Sequence, residues 1–307
     1  AWLARASRDR QVAVLDLDAQ GGASAVLGAT PGAEDRGVYD LLTGDGELLS
    51  LALPSALAGC DVVPATERLS LAEMDPAVRE ADPAALYDRL QAGAKRYGIV
   101  ILDCPPGLGL LPSLAMSMAD LVVLPTTPTR LAVAALDHTM EHIRMVRRSD
   151  TPPTAVLFTL CESLDLEQAF IVDEARRRHG SAVMEAAVAR DPTAEQALRA
   201  GMPLVTYAPG SEASRGYFQA ARELLTRLRG RPSHPADAPP VVGRDRRPGV
   251  PDAAPAAVAD DGKEVETAPS ETRIGVVTLA VVALFAALVG GLWAVPTKTL
   301  LDLMGYR

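Results

Sequence analysis

Three aspartates carry the first chemical signal. In "VAVLDLDAQGG", Val12 to Gly22, a strand-forming apolar run ends in Asp16 and Asp18, then a glutamine and two glycines. In "YGIVILDCPPGLG" the same grammar returns: an apolar run, then Asp103, then a turn of Pro105, Pro106 and Gly107. Residues two apart in a strand point to one side. Carboxylates gathered there repel unless a cation or ordered water shares them. The chemistry this suits is a hard cation, magnesium, beside a phosphate. Read singly, each acid is equally well a turn or cap aspartate.

Elements that alternate must position these acids. Val12–Leu17, Tyr97–Leu102, Leu121–Leu124, Ala155–Leu160 and Leu204–Tyr207 read as strands, and "CDVVPA" as a further short one. Their near-continuous apolar character is that of a parallel sheet covered on both faces. Helices lie between them. "DPAALYDRLQAGAKRY" opens on Asp82 as N-cap with Pro83 behind it. "DPTAEQALRAG" repeats the device with Asp191 and Pro192 and stops at Gly201. The expectation is an α/β, doubly wound, mostly parallel sheet, in which ligands sit at the carboxyl ends of the strands.

At these motifs the chain resembles the ParA/MinD family of deviant Walker ATPases. "VAVLDLDAQGGASAVLG" is similar to the segment that follows the family's P-loop helix, and the Asp103 segment to its Walker B strand. "DPTAEQALRAGMPLVTYAPGSEASRGYFQAARELL" resembles its C-terminal stretch, which includes the loop beside the adenine. The resemblance covers residues 1–230 and is closer to the ParA branch. It implies a P-loop NTPase-like fold, ATP and Mg2+ as cofactors, Asp103 as the metal acid acting through water, and Asp18 as the acid that orients the attacking water. Asp16 becomes the neighbouring switch acid, and Pro203, Pro209 and Ser211 fall in the base-binding loop. It further implies a homodimer sandwiching ATP, a ParB-like stimulating partner and non-specific DNA as a surface.

The chain also departs from the family. No G-x-x-x-x-G-K-[ST] occurs in it, so the phosphate-binding loop and the first strand are expected to be absent. "AWLARASRDR" reads as the last turns of an uncapped helix, which suggests a missing N-terminal piece rather than a degenerate relative; losing a central strand would expose two sheet edges. As written, the chain is expected to bind ATP poorly and to be inactive. "LFTLCESLDLEQ" lacks the asparagine and basic residue the family often has near that strand end.

Residues 231–272 are rich in Pro, Ala and Asp and read as a disordered linker. Residues 273–296 hold an uncharged apolar run, Ile274 to Val295, about 33 Å long as a helix, which reads as a single membrane span. Residues 297–307 form a short tail. This places the N-terminal domain on the cytoplasmic side of a cell membrane. The 307 residues carry a net charge of −9, which argues against a general nucleic-acid coat. "EARRRHG" and "RELLTRLRGR" remain the basic runs able to touch DNA phosphates or anionic lipid, with solvated faces the plainer reading. Cys60, Cys104 and Cys161 are widely spaced and read as free thiols. "HTMEH", His138 to His142, fits a zinc-protease pattern but lacks an evident third ligand. Tyr306 stands apart from the tyrosine cluster of the bacterial kinases that share this fold.

Overall fold

The structure, a computed structural model, describes residues 11–29, 31–32, 35–147, 153–229 and 277–282, the last six by their backbone. Its first strand, β1 (Gln11–Asp16), leads into a short helix, α1 (Gly22–Val26). Two small helices follow, α2 (Val38–Thr43) and α3 (Leu48–Leu51), then β2 (Leu53–Pro54) and β3 (Cys60–Val63). Next come α4 (Pro76–Arg79), α5 (Pro83–Gln91), β4 (Tyr97–Cys104), α6 (Leu110–Met118) and β5 (Leu121–Thr126). The remainder is α7 (Arg130–Arg147), β6 (Thr154–Cys161), α8 (Leu166–His179), β7 (Val183–Ala189), α9 (Pro192–Arg199), α10 (Leu204–Tyr207), α11 (Glu212–Arg229) and β8 (Val277–Val282).

The sheet runs β2-β3-β1-β4-β8-β5-β6-β7, and only the β2–β3 pair is antiparallel. Apolar side chains alternate between its faces, as a strand's period of two requires. Val122 and Leu124 join a core with Leu86, Leu90, Leu136 and Ile143 from α5 and α7. Leu121 and Val123 join a second core with Val188, Ala220 and Leu224, capped by α11. Helices therefore cover both faces, which is the doubly wound arrangement.

The cap devices work as their sequence suggests. The Asp82 carboxylate accepts from the Ala84 amide at 3.0 Å, and that of Asp191 from the Thr193 amide at 2.9 Å. Three expectations are corrected. Leu204–Tyr207 is the helix α10, not a strand, because the run follows Pro203 and is too short for periodicity to tell the two apart. β7 was not expected: alternation with the exposed Glu185 disguised it. Residues 277–282, expected inside a membrane helix, form β8 in mid-sheet, between β4 and β5. No helix among the described residues is long and apolar enough to cross a membrane. The opening helix, the linker, the rest of the apolar run and Tyr306 lie outside the described residues.

Close packing of α11 on β7 depends on Gly216. A Cβ there would stand 2.6 Å from the Ala187 carbonyl oxygen and 2.9 Å from the Val188 Cα. Alanine is the better helix former by about 1 kcal/mol, yet backbone cannot yield as a flexible side chain does. Gly216→Ala is expected to lower stability by about 1–3 kcal/mol in chemical unfolding. A gain in stability would show that α11 is free to shift.

Candidate functional site

The ladder between β1 and β4 brings two of the three acids together. Asp16 is the register partner of Asp103, and the Leu17 amide donates to the Asp103 carbonyl at 2.8 Å. Both acids sit at carboxyl ends of adjacent parallel strands.

Their surroundings differ. Asp16 is fully buried, and one of its oxygens accepts from the Ser24 amide and the Ser24 hydroxyl, both at 2.7 Å. The other accepts from the Asp18 amide at 3.2 Å. Burial raises the Asp16 pKa, and the Ser24 bonds oppose that. Gly21 adopts a left-handed conformation, φ 67°, that lets the chain turn from the acids into α1. Asp18 lies beyond the end of β1, half-exposed, with its carboxylate capping the Gln20 amide at 2.9 Å. Asp16 is thus a buried anchor and Asp18 its half-open neighbour.

Asp103 is half-buried. Burial, then the charges of Asp16 and Asp18, push its pKa from an ordinary 3.8 to about 7. No lysine or arginine among the described residues is ion-paired with any of the three acids. A buried acid at the opposite end of the sheet shows the contrast. Asp61 accepts from Arg96 at 2.6 Å and from the Tyr97 hydroxyl at 2.8 Å, a closed structural arrangement. The three site acids lack such a cation, so their donor set suits magnesium. They do not converge into an all-protein cage, since no three His, Cys, Asp or Glu side chains among the described residues do so. Magnesium tolerates this, because it keeps several waters and takes one or two carboxylates.

The fit for phosphate is poorer. α1 is short, and no described cation is placed against the acids. Pro203, Pro209 and Ser211 lie elsewhere on the same rim. Pro203 precedes α10, and Ser211 accepts from the Ser214 amide at 3.2 Å. Asp191 ties this loop down, accepting from Thr193 and, at 3.1 Å, from the Ala213 amide. Its hydrogen bonds from Thr193 lead the effects that hold its pKa down to about 2. β7, which precedes this loop, is four strands from β4, about 19 Å across the sheet at ordinary spacing. The structure shows no hydrogen bond between the loop and the acids.

Two residues here carry no advance signal. Ser24 holds Asp16 and accepts from the Ala65 amide at 3.1 Å; only its position after the glycine pair hints at this. Thr126, at the carboxyl end of β5, is buried with no hydrogen-bond partner for its hydroxyl among the described residues. The histidine pair resolves into helix packing: His142 Nε2 meets the Ser113 hydroxyl at 2.8 Å. The basic runs are largely paired. Arg176 faces Asp173 and Glu185, Arg178 faces Glu174, and Arg227 meets Glu223 at 2.8 Å.

The comparisons decide the family. A chromosome partitioning protein ParA from Myxococcus xanthus is 30% identical over 225 residues, covering 72% of this chain and 80% of that protein. The chain belongs to the ParA family. ParA from Caulobacter vibrioides is also 30% identical, over 74% of this chain and 87% of its own. The sporulation initiation inhibitor protein Soj of Bacillus subtilis is 27% identical, over 70% and 86%. An AAA domain family matches residues 3–155. Among solved structures, an ATP complex of McdA from Cyanothece overlays with a TM-score of 0.63 at 18% identity, covering 73% of this chain and 89% of that one. The Mg-ADP complex of septum site-determining protein MinD from Pyrococcus horikoshii overlays at 0.57 and 22%, over 75% and 88%. These structures establish a shared α/β fold for this ParA relative.

Two outcomes test the site's electrostatics. A carboxyl whose native pKa lies above its unfolded value contributes stability fully present below the unfolded pKa and lost as pH rises through the native one. In metal-free buffer the protein should lose stability between pH 4 and 7, by up to about 4 kcal/mol and less as solvent screens the half-buried Asp103. Asp103→Asn should flatten that slope in thermal melts; an unchanged slope would place the titration elsewhere. Ser24→Ala removes a buried donor from Asp16 and an acceptor from Ala65, and should cost about 1–3 kcal/mol in denaturant unfolding.

Proposed function

We propose that this protein is a partition or positioning ATPase of ParA type, acting on DNA or another cargo through an ATP-dependent homodimer that a ParB-like partner stimulates. One observation carries the reading: in a ParA-family chain, Asp103 and Asp16 are register partners at the strand ends, with Asp18 beside them and no ion-paired cation among the described residues. In this reading Asp103 holds magnesium through water, and Asp18 orients the attacking water. Asp16, locked on Ser24, is a positioning residue that fixes the turn carrying Asp18. The loop with Pro203, Pro209 and Ser211 takes the base. Bound magnesium would supply charge neutralisation for phosphoryl transfer to water.

The phosphate contacts set the limit of this reading. Since the chain has no G-x-x-x-x-G-K-[ST] turn, its nucleotide affinity should be low. The same observation favours a second reading, a non-catalytic adaptor that keeps the fold as a binding surface. A membrane address, with the folded domain on the cytoplasmic side, would require residues 277–282 of the apolar run Ile274 to Val295 to leave the sheet. Paired arginines leave DNA contacts to side chains such as Arg177 and Arg222, which lie over the exposed rings of Phe170 and Phe218.

Calorimetric titration of the full chain with MgATP, with oligomeric state followed by light scattering, separates the readings. The ATPase reading expects magnesium-dependent binding near about 1 mM, dimers at saturation, and loss of both in Asp103→Asn. Absence of any binding would favour the adaptor. Micromolar affinity indifferent to Asp103→Asn would overturn the site assignment.

A further inference from the structure

Two helices meet through a hydroxyl and an imidazole near the turn that follows Asp103. Ser113 is on α6 and His142 on α7, and the Ser113 Oγ lies 2.8 Å from the His142 Nε2. The same Oγ lies 3.4 Å from the Leu108 carbonyl oxygen. Leu108 belongs to the exposed residues 106–109, which join the end of β4 to α6.

A hydroxyl has one proton to donate, so Ser113 cannot serve Nε2 and the carbonyl together. Ordinary O–H···O bonds span about 2.5–3.0 Å. The short contact to Nε2 and the long one to Leu108 are the pattern of a proton given to the ring. In that state His142 is neutral, with its own proton on Nδ1. Protonating the ring reverses the direction. Nε2–H then donates to Oγ, and the Ser113 proton is released to the Leu108 carbonyl. The only proton gained is the one that Nε2 takes from solvent.

The charged groups of the surrounding elements have partners of their own. α6 carries no charged residue from Leu110 to Met118. Glu73 accepts from the Leu110 amide at 3.3 Å. On α7, Glu141 pairs with Arg144 at 3.0 Å, Arg147 donates to the Met116 carbonyl at 2.9 Å, and Asp137 takes Arg178 and His179 of α8. His138 is exposed one turn back on α7.

We propose that Ser113 and His142 form a proton-linked tie on the turn after Asp103. Acidification tightens the turn by handing the Ser113 proton to Leu108, and the turn is held more loosely when the ring is neutral. The tie is read on the metal-free protein and stands apart from the nucleotide reading.

The full chain in metal-free buffer tests it with two readouts. Nitrogen-15 NMR of the His142 ring, assigned by its loss in His142→Gln, should show a bare Nε2 at about pH 8 and a proton on it at about pH 5, the span in which imidazoles change charge. Hydrogen–deuterium exchange of amides 107–111, corrected for the pH dependence of intrinsic exchange, should slow by about 2- to 10-fold over that span, the worth of one hydrogen bond. Asp103 titrates in the same span, so the deciding comparison is with Ser113→Ala. Alanine suits the helix and leaves Asp103 in place, but has no proton to pass. Ser113→Ala and His142→Gln should both lose the slowing that Ser113 supplies. A proton on Nε2 at pH 8 would overturn the proposal, as would a pH response in Ser113→Ala equal to that of the unaltered chain.

Discussion

The parallel ladder between β1 and β4 is the constraint on which the site depends. Its register sets Asp16 against Asp103, and burial denies both the solvent that would mask their charges. Folding therefore concentrates negative charge at one end of the sheet at a cost in stability. Asp61 shows that the same fold can neutralise a buried acid with an arginine and a tyrosine where no ligand is served. That no ion pair among the described residues compensates Asp103 is the strongest physical reason to see the rim as a cation site. Ser24 then divides the labour: Asp16 is consumed by its hydrogen bonds, and Asp18 and Asp103 stay half-open.

The sheet that carries this ladder is continuous only through β8. Val281 stands opposite Asp103, so the carboxyl end of β8 emerges at the acidic rim. The next basic residue along the chain is Lys298, and no glycine-rich lysine turn intervenes. The strand that unites the sheet thus brings no phosphate-binding cation within the following dozen residues. This joins the two main features of the molecule: acids gather at the carboxyl ends of β1 and β4, and the adjoining strand β8 is apolar in sequence.

What could be read from the chain follows the range of the physics involved. The aspartates at strand ends and the caps at Asp82 and Asp191 are local signals, and each holds. Ser24 was invisible because its value lies in reaching Asp16 and Ala65, a contact that only the folded turn creates. β7 was hidden by Glu185, since alternation at a covered strand is weak evidence beside a helix-like composition. Leu204–Tyr207 misled because four apolar residues carry no period. β8 was read as membrane helix because an uncharged apolar run suits lipid and the centre of a parallel sheet alike.

If Asp103 and Asp18 form a divalent-cation site, a bound ion should be visible directly beside them. The most direct test is a crystal of the full chain soaked in manganese chloride and measured where manganese scatters anomalously. A single peak beside Asp103, with Asp18 within reach of its waters and Asp16 still bonded to Ser24, is the expected result. Ordered carboxylates with no peak among them at saturating manganese would contradict it.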